Sequence, residues 1–162
     1  RGGNWEMLVN AAGARLVSDN LTWLGPPVFT EREQAFARQI QRATGVPEAG
    51  MSTVVKRLED QVEEGGSTDV GDVSWIVPTL NLSVATSPLA APWHGWPVVA
   101  TSGMSIGHKG MLHAAKVIAA TMVDLYEQPQ ALAAVRAEFA ARKGDTVYHS
   151  YVPDGPPPVP KR

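Results

Sequence analysis

Three of the four histidines, two aspartates three residues apart and a dense set of glycines fall between Gly65 and Lys116. The stretch runs Gly65-Gly66-Ser67-Thr68-Asp69-Val70-Gly71-Asp72, then Pro92-Trp93-His94-Gly95-Trp96, then Ser105-Ile106-Gly107-His108-Lys109-Gly110-Met111-Leu112-His113. Imidazoles and carboxylates bind divalent ions and move protons, and glycines permit tight turns. The chain has no cysteine, so any metal must be held by His, Asp and Glu.

Spacing decides which of these groups can act together. His108 and His113 lie on a helical pattern, where five residues rotate by roughly 140°, whereas a zinc-binding pair at i and i+4 stays within about 40°. They cannot readily share one ion. His113 shares a polar stripe with Lys109, Lys116 and Asp124, which reads as a solvated helix face. His108 follows a glycine in the first turn, where free backbone amides can meet an anion, or its side chain simply caps or packs there.

His94 sits in a loop after the strand expected at residues 79–86, between two tryptophans, where apolar neighbours would lower the local dielectric and fix an imidazole as a ligand or a base requires. A packed surface histidine fits the same pattern. Asp69 and Asp72, with Ser67 and Thr68, read either as ordinary caps before a short helical turn or as a glycine-rich turn whose amides and hydroxyls hold a substrate carboxylate. One histidine and two aspartates do not make a zinc hydrolase, which needs three protein ligands at one ion and a base for the water.

The elements that must position these residues follow from periodicity. Residues 5–9 alternate as a short strand. Residues 11–24 read as a helix with Ala14, Val17, Leu21 and Leu24 on one face, ended by Gly25-Pro26-Pro27. Thr30-Glu31-Arg32-Glu33 is a capping box, and Phe36, Ile40 and Ala43 share a face up to Gly45.

Residues 51–62 suit a helix or a charged connection. Residues 79–86 alternate as a strand after a proline, and residues 96–101 suit another strand weakened by Pro97. From Ser105 a helix runs to Tyr126, with Met111, Ala115, Ile118, Met122 and Leu125 expected inward. A last helix spans residues 129–143, followed from Tyr148 by a tail too rich in proline to pack regularly. Helices with interspersed strands favour an α/β sandwich.

A length of 162 residues with 44% hydrophobic content fits one domain. The net charge of -2, without a basic run interleaved with aromatics, argues against nucleic acid as a partner. No apolar run approaches the roughly 20 residues of a membrane helix, and no signal-peptide pattern opens the chain, so a cytoplasmic setting is expected. A strand that starts with almost no lead-in after Arg1 suggests a piece of something longer.

The motifs from Ser67 to Trp75, Pro92 to Trp96 and Ser105 to Lys116, together with the segment from Leu21 to Ile40, resemble the C-terminal part of the di-metal amidohydrolase and metallopeptidase family. That family includes aminoacylases, carboxypeptidase G and the indole-acetyl-amino-acid hydrolases. The resemblance implies the C-terminal half of a zinc-peptidase-like α/β sandwich catalytic domain, helix-rich, without the N-terminal half and most of the lid domain. Residues 1–10 would end the lid's last strand, residues 11–147 would belong to the catalytic domain, and residues 148–162 would form the proline-rich tail.

The resemblance further implies two divalent ions, zinc before manganese, with His94 as one metal ligand. Gly66, Ser67, Thr68 and Asp69 would hold the carboxylate end of an N-acyl or N-aroyl amino acid, with His108 also on the substrate side. The other four ligands and the glutamate base have no counterpart here, so the chain alone should be inactive. The parent enzyme would cleave the substrate's amide as a homodimer or hetero-oligomer, without nucleic acid or membrane. The rival reading is a non-catalytic interaction module that supports a partner chain.

Overall fold

The computed structural model describes residues 3–58, 68–152 and 154–156, and among these the secondary structure is helical. The helices are α1 (Ala11–Leu24), α2 (Glu31–Thr44), α3 (Val70–Ser74), α4 (Trp96–Ser102), α5 (Ser105–Glu127) and α6 (Pro129–Lys143). No strand or sheet occurs among the described residues. The α/β sandwich expected from the sequence is therefore corrected to a helical arrangement.

The reason is visible in where the backbone groups of the expected strands go. Residues 5–9 belong to no helix or strand and are held by side chains of the α3 region. The Trp5 amide donates to Asp72 Oδ1 (3.2 Å), the Leu8 amide to Ser74 Oγ (2.8 Å), and Trp75 Nε1 donates to the Glu6 carbonyl (2.9 Å). Gly71 lets α3 approach this closely, because a Cβ there would collide with the Trp5 carbonyl.

Residues 79–86 likewise belong to no helix or strand, and their backbone amides donate to no other group among the described residues. The segment crosses α1 at Gly13, where an added Cβ would lie 2.6 Å from Leu80, and α5 at Gly110, where it would meet Thr86. Period-two alternation makes a strand only when a neighbour supplies the ladder, and no such neighbour is present among the described residues.

Helices α1, α5 and α6 pack on one another, and α4 packs on α5. Val17, Val117 and Val135 are buried. The start of α1 is held by α6: Glu138 accepts from the Ala11 and Ala12 amides (3.0 and 2.6 Å), while Asn10 caps Gly13 N (2.8 Å) and donates to the Val135 carbonyl (2.8 Å). Burial pushes the Glu138 carboxyl up, but these amides and Arg142 outweigh it and leave it below the usual carboxylate range. Asn20 of α1 donates to Thr121 Oγ1 and Asp124 Oδ2 of α5 (3.3 and 2.7 Å). A second core, of Ala37, Met51 and Ile106 with Phe29, Phe36, Ala85 and Met104, joins α2 to the start of α5.

Two further expectations are corrected, and one alternative is decided. Residues 96–101 form a helix rather than a strand, since Pro97 lies in the first turn, where no amide is needed. Residues 51–58 are not helical, and 59–62 lie outside the described residues. Helix α5 buries Ile106, Gly110, Val117 and Thr121, while Met111, Ile118 and Met122, expected inward, are exposed.

The tail also packs more than its prolines suggest. Trp5 stacks on Tyr151 with ring centroids 5.7 Å apart, touches Tyr148 and His149, and donates through Nε1 to the His149 carbonyl (2.7 Å). Among the described residues, no helix is long and apolar enough to cross a membrane.

Candidate functional site

His94 lies in a turn that is fixed on both sides. Upstream, the buried Gln41 of α2 donates to the carbonyls of Leu89 (2.8 Å) and Gly50 (3.2 Å) and accepts from the Gly50 amide (2.7 Å). The Leu89 amide donates to the Gly50 carbonyl (3.0 Å), so two loops are tied to one glutamine. Downstream, α4 begins two residues later with Pro97 buried. Between these anchors His94 has φ of +61°, the left-handed region that non-glycine residues rarely adopt. Trp93 and Trp96 are 68% and 54% exposed and His94 is exposed too, so the tryptophans do not enclose the ring as expected. No hydrogen bond or ion pair among the described residues engages the imidazole.

The glycine-rich turn is described only in part, with Gly66 and Ser67 outside the described residues. Thr68 and Asp69 are exposed. Thr68 Oγ1 accepts from the Val70 amide (3.3 Å), whereas Asp69, although at the N-cap position of α3, makes no side-chain cap bond. Among the described residues its carboxylate has no hydrogen-bond partner. Asp72 is committed to the Trp5 amide and serves the fold.

His108 is exposed in the first turn of α5, whose N-terminus has no side-chain cap. Among the described residues, no hydrogen bond, ion pair or ring contact joins His94 to Thr68, Asp69 or His108. His113 departs from the solvated stripe expected for it: the residue is half-buried, and its Nε2 is shielded from solvent without a hydrogen-bond partner. The stripe itself is broken up, since Asp124 is taken by Asn20 and Lys109 by an acid on α2.

That acid, Glu33, is the polar centre missed by the sequence reading, which saw only its capping role. Thr30 N (2.6 Å), Thr30 Oγ1 (2.9 Å) and Lys109 Nζ (2.6 Å) donate to Oε2, and Ser105 Oγ (2.5 Å) donates to Oε1. Burial pushes this carboxyl up, but the bonds from Lys109, Ser105 and Thr30 outweigh it and hold it at about 2. The available signal was Ser105 and Lys109 at i and i+4, on one face of α5. A cavity of ≈ 390 Å³ lies here, lined by Thr30, Arg32, Glu33, Phe36, Met104 and Ser105, and His94 is not on its wall.

A metal site needs several donors at one point, and among the described residues no three of His, Asp and Glu come together in that way. His94 offers one imidazole, and the described residues do not form a metal site by themselves.

The chain is 31% identical over 166 residues to one of the subunits of p-aminobenzoyl-glutamate hydrolase from Escherichia coli strain K12, and the match takes in 86% of this chain and 34% of that relative. This relates the chain to a hydrolase subunit. It spans about a third of the length of the curated relative it matches. No family model matches, and no solved structure does.

Proposed function

We propose that this chain is the histidine-bearing portion of a metal-dependent amidohydrolase acting on N-acyl or N-aroyl amino acids, aroyl-glutamates among them. The observation that carries this reading is the match to the p-aminobenzoyl-glutamate hydrolase subunit along 86% of the chain. In this reading His94 furnishes one ligand to a pair of divalent ions, zinc before manganese, and the other ligands come from outside the described residues. Bound ions would polarise the substrate's amide carbonyl and supply a hydroxide near neutral pH.

The chain's own residues then have separate tasks. The exposed His94, held between Gln41 and α4, can present its imidazole without first breaking a hydrogen bond among the described residues. Thr68 and Asp69, with Gly66 and Ser67, border the substrate's amino-acid end, where backbone amides and the Thr68 hydroxyl suit a carboxylate. The Asp69 carboxylate would instead favour a cationic or hydroxyl-bearing group. His108, solvent-facing at the uncapped start of α5, is the further anion contact.

The test is hydrolysis of p-aminobenzoyl-glutamate by the complete enzyme that contains this chain. His94→Ala should lower kcat/KM by roughly 100-fold or more, as loss of a metal contact does, with an unchanged circular dichroism spectrum. Full activity in that variant, or no hydrolysis of any acylated amino acid by the unmodified enzyme, would overturn the reading.

A further inference from the structure

Two tryptophans flank His94, and neither has a task in the fold or in the proposed reaction. Trp93 adjoins His94, and Trp96 opens α4 two residues on. They are 68% and 54% exposed, and Val99, one turn after Trp96, is 76% exposed. Pro97 and Thr101 turn the opposite side of α4 inward. Among the described residues, neither indole stacks on another ring or donates through Nε1. Trp5 and Trp75 do both: their rings pack at 4.9 Å, and they donate to the His149 and Glu6 carbonyls. Those two hold the fold. Tryptophan is highly buried on average, so two open ones on a turn whose backbone is anchored by Gln41 and Pro97 mark a contact surface.

Their position decides what makes that contact. A polypeptide laid over both rings would also cover His94 between them and close its imidazole to an ion and a substrate. Under the proposed function the surface therefore meets a small ligand. In that reaction Thr68 and Asp69 border the amino-acid end, and the acyl group on the carbonyl carbon has no residue assigned to it. An aryl ring in that place is conjugated with the carbonyl and close to coplanar with it. Laid on an indole face, it gains an aromatic pairing that an alkyl group lacks, and its plane sets the direction of the carbonyl oxygen. Tryptophan has two χ angles to order, so the contact costs little side-chain entropy.

We propose that Trp93 and Trp96, extended by Val99, form the platform for the acyl group of the substrate and select aromatic acyl groups over aliphatic ones of equal size. This rests on the proposed function at His94 and adds the residues that choose among its substrates.

The test compares N-benzoyl-glutamate with N-cyclohexanecarbonyl-glutamate, which match in ring size and differ in aromaticity, as substrates of the complete enzyme that contains this chain. The unmodified enzyme should favour the benzoyl compound in kcat/KM. Trp93→Leu and Trp96→Leu should each lower that preference by roughly 2- to 10-fold, and Trp96→Phe should largely keep it. Trp23→Leu, at a 75% exposed position near the end of α1, should leave it unchanged. A second measurement needs no variant: benzoate should inhibit the unmodified enzyme at least ~2-fold more tightly than cyclohexanecarboxylate.

A preference untouched in both leucine variants, with both substrates still hydrolysed, would overturn the platform and leave the proposed function standing. Equal inhibition by the two acids would do the same. So would leucine variants that lose stability in urea, or mass by light scattering, without a change of preference, since polypeptide would then cover the rings. His94→Ala should lower both substrates alike, and no hydrolysis of either by the unmodified enzyme would sink the proposed function and the platform with it.

Discussion

Glu33 and His94 occupy opposite kinds of surroundings. Glu33 is buried and receives four hydrogen bonds, from Thr30, Ser105 and Lys109. His94 is exposed, sits at positive φ and takes part in no hydrogen bond among the described residues. A carboxylate held by four donors is stabilised in its ionised form, so its proton affinity is suppressed and it is a poor base although a cavity opens beside it. An imidazole held by its backbone, with its ring free, is poor at stabilising a fold and ready for a partner. The two carboxylates lowered against their own burial, Glu33 and Glu138, each join two helices, and the functional candidate is the residue without a partner among the described residues.

The comparison breaks most visibly at Glu33. Glu33→Ala removes the reciprocal cap of α2 and strands Lys109, and it should cost roughly 3 kcal/mol by urea denaturation. The same carboxylate sets an acid limit. Its pKa is lowered in the folded protein from 4.5 to about 2. Its contribution is therefore fully present above about 4.5 and drains away as pH falls toward 2. Unfolding followed against pH should show that loss in the unmodified chain and little of it in Glu33→Ala. A variant as stable as the parent would mean that the bonds from Ser105 and Lys109 do not hold α2 to α5.

Gln41 joins the two regions, since it is buried at the α2 core and fixes the loop leading to His94. Gln41→Ala leaves the Gly50 amide and the Gly50 and Leu89 carbonyls without these partners and should cost about 2 kcal/mol. Native-state hydrogen exchange at Leu89, whose amide bonds to Gly50, should accelerate in the same variant. Unchanged exchange there would show that the turn is set by α4 alone.

How much of this could be read from the sequence depended on whether the governing interaction was local. The capping box of Thr30 and Glu33, the ends of α1 and α2, and the first turn of α6 at Pro129 follow from neighbours within one helical turn, and the structure has them. The expected strands needed partners distant in sequence, and Asp72, Ser74 and Trp75 took the backbone groups of residues 5–9 instead. Periodicity located the apolar stripe of α5 but could not say whether this chain covers it, so Met111 and Ile118 were placed inward and are exposed. The loop at His94 was readable because glycine and proline punctuate that stretch, whereas the strand expected ahead of it is absent among the described residues. The exposure of Trp93 and Trp96 was not readable, since adjacent residues in a turn do not reveal which way they face.

The smallest expected effect sharpens the contrast most. At φ of +61°, replacement of His94 by glycine removes the Cβ crowding that disfavours the left-handed region, a gain of about 1 kcal/mol. Glycine also loosens the unfolded chain, at a cost of roughly 0.5–1 kcal/mol. The exposed ring forms no hydrogen bond among the described residues whose loss would add to the balance, so His94→Gly should lie within about 0.5 kcal/mol of the parent by urea denaturation. In the complete enzyme the same substitution should abolish hydrolysis as fully as His94→Ala, because the imidazole is gone in both. Glycine additionally keeps the turn's backbone, so its failure cannot be laid to a distorted loop. A loss of more than ~1 kcal/mol in His94→Gly would show that the ring packs against something and belongs with Glu33 among the groups that hold the fold.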